Sequence, residues 1–173
     1  MKTIKLSIII LLVILFNISK AKDNNRGYIV SIGDNAPDFK ITLTDGSTFK
    51  LSEQKGKVIM LQFTASWCGV CRKEMPFIES EIWQQLKNKN FIVIGVDKEE
   101  PIKKVTDFIK QTKVTYPFGL DKTGDVFNKF SHKDAGITRN VIIDKNGKII
   151  YLTRLFSREE FNKMKDVIFN EFK

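Results

Sequence analysis

Residues 58 to 71 read Val58-Ile59-Met60-Leu61-Gln62-Phe63-Thr64-Ala65-Ser66-Trp67-Cys68-Gly69-Val70-Cys71, and their reading decides the fold. The first six are an apolar run rich in strand formers, while beyond Cys71 the residues Met75, Ile78, Ile82 and Leu86 recur at helical spacing. A strand therefore runs into a helix, and the two cysteines of the chain lie at the junction. Cys68 falls at or just before the first helical turn. Unpaired N–H groups and the positive end of the macrodipole favour an anion there, so its thiolate is stabilised. Cys71, about one turn further in, is within reach of a small disulfide ring and is expected to be the more buried. Cys68 is the expected nucleophile and Cys71 the resolving thiol that attacks the mixed disulfide.

Two plainer uses of the pair fit less well. A structural zinc site takes four protein ligands, and the chain offers two cysteines and one histidine, His132, in the polar stretch Ser131-His132-Lys133-Asp134. A purely structural disulfide between such close neighbours would close so short a loop that it would constrain the unfolded chain little.

The first 21 residues read as a secretory signal. Lys2 and Lys5 precede an apolar run from Leu6 to Phe16, shorter than the roughly 20 residues that span a bilayer as a helix. Ser19 and Ala21 are spaced for cleavage after Ala21, with an uncleaved anchor as the alternative. A periplasmic location is expected, where disulfides persist and a low-potential dithiol needs a dedicated donor to stay reduced. Residues 22–32 read as a polar tether and 33–173 as one domain of ordinary size. The formal charge of +9 falls to +6 without Lys2, Lys5 and Lys20. The lysines are scattered, so no nucleic-acid-binding stripe is read.

Along that domain, Phe39, Ile41 and Leu43 alternate with polar residues, Asp45-Gly46 turns, and Phe49 and Leu51 resume, which predicts a hairpin. Phe91 to Val96 reads as a second apolar strand. Pro101 is placed early in a helix carried by Ile102, Val105 and Ile109. A short segment near Tyr116-Pro117-Phe118 and a helical turn over 125–130 follow. Val141 to Ile143 and Ile149 to Leu152 flank Asn146-Gly147, a two-residue hairpin signal. The last helix is capped by Ser157 and carries Phe161, Met164, Ile168 and Phe172 on one face.

Gly33-Asp34-Asn35-Ala36-Pro37-Asp38-Phe39, Gly56-Lys57-Val58, Trp67 to Cys71, Arg72-Lys73-Glu74-Met75-Pro76 and Val141 to Gly147 together resemble the extracytoplasmic thiol-disulfide oxidoreductases of the TlpA/ResA type, over about residues 33 to 172. The resemblance implies a thioredoxin-like α/β fold, a central mixed sheet flanked by helices with an added N-terminal β-hairpin. It also implies protein thiol or disulfide substrates, apocytochrome c among the candidates, a reducing direction with electrons from a membrane thiol reductase, no cofactor, and a monomer. Glu74 matches the active-site glutamate of ResA-type proteins. If buried, its raised pKa lets it exchange the proton when Cys71 reacts. Gln62 stands where thioredoxin carries a buried aspartate, and Val70 where thioredoxin has a proline between its cysteines. The Gly69-Val70 pair tunes the potential, Trp67 either shapes the docking surface beside Cys68 or is a core aromatic, and Pro76 matches the proline that kinks the active-site helix.

One departure stands out. Thioredoxin-fold oxidoreductases place a cis-proline opposite the cysteines, but the four prolines here are Pro37, Pro76, Pro101 and Pro117, and Thr138 occupies that site. A non-proline cis bond costs about 2.5 to 4 kcal/mol, so a trans bond is expected. Thr138 is placed to donate a hydrogen bond to sulfur, and Arg139, if aimed at the cysteines, to stabilise the Cys68 thiolate. The Thr138 loop is also expected to join the docking surface. Two alternatives remain open. The Gly-Asp-x-Ala-Pro-Asp-Phe opening is shared with peroxiredoxins, although Ala65 and Leu61 stand where their signature needs Thr or Ser and Pro. The dithiol without its proline would also suit a copper carrier, short as it is of a third clear ligand.

Overall fold

The computed structural model describes residues 26–173. The expected signal over 1–21 and the first residues of the tether lie outside them. Strands β1 (Lys40–Thr42) and β2 (Thr48–Lys50) form an antiparallel hairpin. Strands β3 (Val58–Thr64), β4 (Phe91–Lys98), β5 (Phe118–Asp121), β6 (Arg139–Ile143) and β7 (Ile149–Arg154) form one mixed sheet, ordered β5-β4-β3-β6-β7. β3, β4 and β5 are parallel, and β6 and β7 return antiparallel. Helix α1 (Gly69–Phe77) links β3 to β4, α2 (Ile102–Thr112) links β4 to β5, α3 (Asp125–Phe130) leads to β6, and α4 (Arg158–Asn170) closes the chain.

β3 is buried at every residue because it is central and covered on both faces, which is why its sequence is a continuous apolar run instead of an alternation. Ile59, Leu61 and Phe63 join a core with Tyr28, Val30, Phe39, Ile41, Phe49 and α3's Phe127 and Phe130. Val58 and Met60 join a second core with Met75 and Ile78, α2's Val105 and Phe108, and α4's Phe161, Met164 and Ile168. The hairpin also reaches the free edge of β5. Thr44 N–H donates to Phe118 O at 2.9 Å, and Leu43 bridges Gly119, so the first half of that edge is covered.

Several local expectations are corrected. The packed domain begins before Gly33: Tyr28 and Val30, within the stretch read as a tether, are buried, and Tyr28 Oη donates to the carbonyls of Asn140 (3.0 Å) and Thr153 (2.7 Å). Pro101 is the N-cap of α2 and stands outside it. Ile102 is exposed, and Phe108 with Val105 supplies the buried face. The β6–β7 turn has three loop residues, Lys145-Asn146-Gly147. Gly147 sits in the left-handed region (φ 86°), where a side chain is disfavoured, and Asp144 Oδ1 accepts the N–H groups of Asn146 and Lys148. Phe172 lies past the end of α4 and meets Phe91 edge-on. After Pro76 the helix departs from α geometry only at Ile78, where a π segment (Ile78–Trp83) precedes a final turn over Gln84–Leu86. Ser157 caps α4 as expected, its hydroxyl accepting Glu160 N–H at 3.2 Å.

The packing leaves no spare volume where α2 meets the sheet. A Cβ on Gly95 would lie 2.7–2.8 Å from the Phe118 ring. That ring is fixed by stacking on Tyr116 and an edge contact with Phe108. Gly95→Ala is expected to destabilise the fold by about 1–3 kcal/mol through overpacking, read as a lower urea midpoint at unchanged slope.

Candidate active site

The end of β3 delivers the chain into the Ala65-Ser66-Trp67 turn, closed by Cys68 N–H donating to Ala65 O at 3.0 Å. Cys68 then takes an extended conformation (φ −80°, ψ 101°) and caps α1, its Sγ accepting Cys71 N–H at 3.1 Å. The sulfur thus does what a serine or aspartate oxygen does at an ordinary N-cap, and any negative charge on it is stabilised by that N–H and by the helix dipole. Cys68 and Cys71 are joined as a disulfide with Cα atoms 5.3 Å apart. Cys71 is fully buried and Cys68 nearly so. Trp67 projects beside them, 69% exposed, which removes the core-aromatic reading. Gly69 is exposed and Val70 half-buried.

Side chains remote in sequence hold this turn. Ser66 Oγ donates to Glu100 Oε1 at 2.7 Å, and Ser66 N–H donates to the other oxygen of the same carboxylate. Arg72 Nε donates to Ser66 O at 2.8 Å while its guanidinium lies 4.7 Å from the Phe108 ring centre. Nearby Asp97, paired in register with Thr64, is buried with neither oxygen partnered. Burial, with Glu100's charge adding, pushes it up to about 8, and nothing in the structure assigns it a role.

Opposite the cysteines stands Thr138, just before β6, with every peptide bond among the described residues trans. Its Oγ1 lies 3.2 Å from Cys68 Sγ and 3.4 Å from Cys71 Sγ. From there the two-residue period of the strand sorts its neighbours. Asn140 shares Thr138's face and donates through Nδ2 to Glu74 Oε1 at 2.7 Å and to Thr153 Oγ1 at 2.9 Å. Arg139 goes to the other face. Its Nε donates to Gly136 O, its Nη1 to Arg26 O, and its guanidinium lies 4.5 Å from the Tyr28 ring centre, so it does not reach the cysteines as its sequence position suggested. Burial lowers the Arg139 pKa from its usual value.

Glu74, one turn after Cys71 on α1, is buried beneath the disulfide's helix. Desolvation raises its pKa to about 7, against the lowering effect of the hydrogen bond from Asn140. Its Oε2 has no hydrogen-bond partner, which leaves room for a proton there. Gln62, buried next to Asn140 in the ladder, accepts from Tyr116 Oη at 2.7 Å. His132 is exposed in the loop after α3. Sequence reasoning missed Asn140 and Glu100. Counting by twos from Thr138 would have found the first; the second is 34 residues from its partner and left no local signal.

A cysteine pair delivered by the central strand to a helix N-terminus, above a mixed sheet of this order, is the architecture of a thiol-disulfide oxidoreductase of thioredoxin-like fold. The redoxin family model matches residues 31–168, and the chain belongs to that family. It is 33% identical to the thiol-disulfide oxidoreductase ResA of Bacillus thuringiensis subsp. konkukian over 70% of this chain and 68% of that protein. It is equally identical to ResA of Oceanobacillus iheyensis over 83% and 74%. Among solved structures, a candidate protein disulfide isomerase of Bacteroides thetaiotaomicron is 59% identical, with TM-score 0.82 over 84% of this chain and 92% of that one. A candidate thiol:disulfide interchange protein DsbE of Chlorobium tepidum is 26% identical, with TM-score 0.71 over 83% and 99%.

The raised pKa of Glu74 has a thermodynamic signature in the oxidised protein, where the cysteines do not titrate. Below pH 4.5 the carboxyl is neutral folded and unfolded; between 4.5 and 7 the unfolded chain gives up this proton first, so stability falls as pH rises, and the full cost is present above 7. Glu74→Gln removes that dependence. Its stability relative to wild type is expected to improve by on the order of 3 kcal/mol between pH 4 and pH 8, measured by denaturant unfolding at both pH values.

Proposed function

We propose that the chain is exported and reduces protein disulfides in the periplasm through Cys68 and Cys71. The observation that carries this reading is the cysteine-capped helix: the capping sulfur, the more accessible of the two, lies beside an exposed Trp67, with its partner sulfur buried behind it. The Cys68 thiolate attacks a sulfur of the client disulfide, that S–S bond breaks, and one client thiolate leaves as the Cys68–client mixed disulfide forms. Cys71, giving its proton to Glu74, then attacks Cys68 Sγ. The second client thiolate departs, taking up a proton, and the enzyme disulfide closes. Two electrons have passed to the client. The carboxyl at pKa about 7 suits it to take and return that proton near neutral pH. Trp67, Gly69, Val70 and the loop before Thr138 form the docking surface; Arg139, turned inward, is not part of it.

Export is supported by the sequence of residues 1–21, outside the described residues, and no helix among the described residues is long and apolar enough to cross a membrane. A membrane thiol reductase resets the dithiol, and the clients are secreted thiol proteins, with apocytochrome c one candidate. The ResA name of the relatives supports the exchange chemistry.

Cys71→Ala is expected to accumulate mixed disulfides with clients through Cys68, recovered from the periplasmic fraction and identified by mass, while Cys68→Ala traps none. The wild-type pair is expected to close and open reversibly against dithiothreitol. A pair that never exchanges, or that turns over hydrogen peroxide instead of protein disulfides, overturns the proposal.

A further inference from the structure

The threonine at the usual proline position does more than fill it. Thr138 is 3% exposed, and its hydroxyl has no hydrogen-bond partner among the described residues other than the two sulfurs. It is also held in place. Its carbonyl accepts Leu155 N–H at 3.1 Å and Arg154 Nη1 at 3.3 Å, and the next two residues are locked into the β3–β6 ladder opposite Phe63 and Gln62. A buried hydroxyl whose possible acceptors are both sulfurs of the reacting pair has only those atoms to which to direct its proton.

We propose that Thr138 is a catalytic residue whose hydroxyl donates a hydrogen bond to the Cys68 thiolate and so favours the reduced form of the pair. This rests on the exchange chemistry above. In the disulfide both sulfurs are weak acceptors, and the hydroxyl gains little from either. On reduction the charge settles on Cys68, where two donors already converge, Cys71 N–H at 3.1 Å and Thr138 Oγ1 at 3.2 Å. A hydrogen bond to an ionised acceptor is about twice as strong as a neutral one, so the contact stabilises the thiolate more than the disulfide. Thr138 keeps its proton throughout, and no bond to it forms or breaks. A proline at this site supplies no donor, so the substitution tunes the pair toward an easily formed thiolate and a less negative potential.

The test uses the full chain with Thr138→Val, which keeps the branched shape and loses the hydroxyl, and Thr138→Ser, which keeps the hydroxyl. The Cys68 pKa is read from the pH dependence of iodoacetamide alkylation in a Cys71→Ala background, and the redox equilibrium from dithiothreitol titration with both cysteines present. Valine is expected to raise the alkylation midpoint by about one pH unit and to shift the equilibrium about tenfold toward the disulfide, about 30 mV more negative. Serine is expected to stay within about twofold of wild type. If the valine protein does not fold, Thr138→Ala is read in its place with the same expectation. Unchanged midpoints in a folded hydroxyl-free variant, with a wild-type pair that exchanges reversibly, overturn the role of Thr138 alone. A wild-type pair that does not exchange overturns the oxidoreductase reading and this proposal with it.

Discussion

The site is organised by one hydrogen bond, from the Cys71 backbone to the Cys68 sulfur at the start of α1. A helix leaves its first N–H groups without partners, and most helices answer with an oxygen from serine, threonine or aspartate. Here a sulfur serves. The same contact that starts the helix places a reactive atom at the positive end of its dipole, so the capping role and the chemical role cannot be separated. The other features of the site serve to keep that atom where it is: β3 brings the chain to this point, Glu100 and Arg72 hold the turn before it, and Cys71 is buried directly behind it.

The second organiser is the parity of β6. Because successive side chains leave a strand on opposite sides, Thr138 and Asn140 face the cysteine helix and Arg139 faces the opposite core. One polar and potentially neutral carboxyl, Glu74, is thereby given a donor on one oxygen and none on the other, and a cation that would have held it ionised is kept on the far side of the sheet.

Much of this was legible in the residues and some was not, and the dividing line is range. The cysteine spacing, the apolar run of β3, the alternation of the hairpin and the serine cap of α4 are local patterns with local causes, and the fold they imply is the one observed. The burial of Glu74 was a conditional reading that packing resolved. Arg139 was misdirected because its orientation depends on a register fixed by the pairing with β3. Tyr28 and Val30 fall in the stretch read as tether because the few apolar residues at its end show no sustained periodicity; contacts with β6, β7 and α3 make them core. On α2, Val105 and Ile109 of the expected stripe do pack inward, joined by Phe108, while Ile102 stands at the first helical position and is exposed.

The double burial of β3 has a consequence for how such a sequence can change over time. The sheet separates two populations of side chains, Leu61 and Phe63 with the hairpin and α3, Met60 with α1 and α4, and these share few neighbours. Substitutions in contacts of different faces should combine additively, so each side can drift at its own pace. The exceptions are the start of α1, whose Cys68 and Cys71 pack in the hairpin's core while Met75 and Ile78 further along the same helix pack in the other, and β6, whose consecutive residues face opposite cores; there the two histories are tied together.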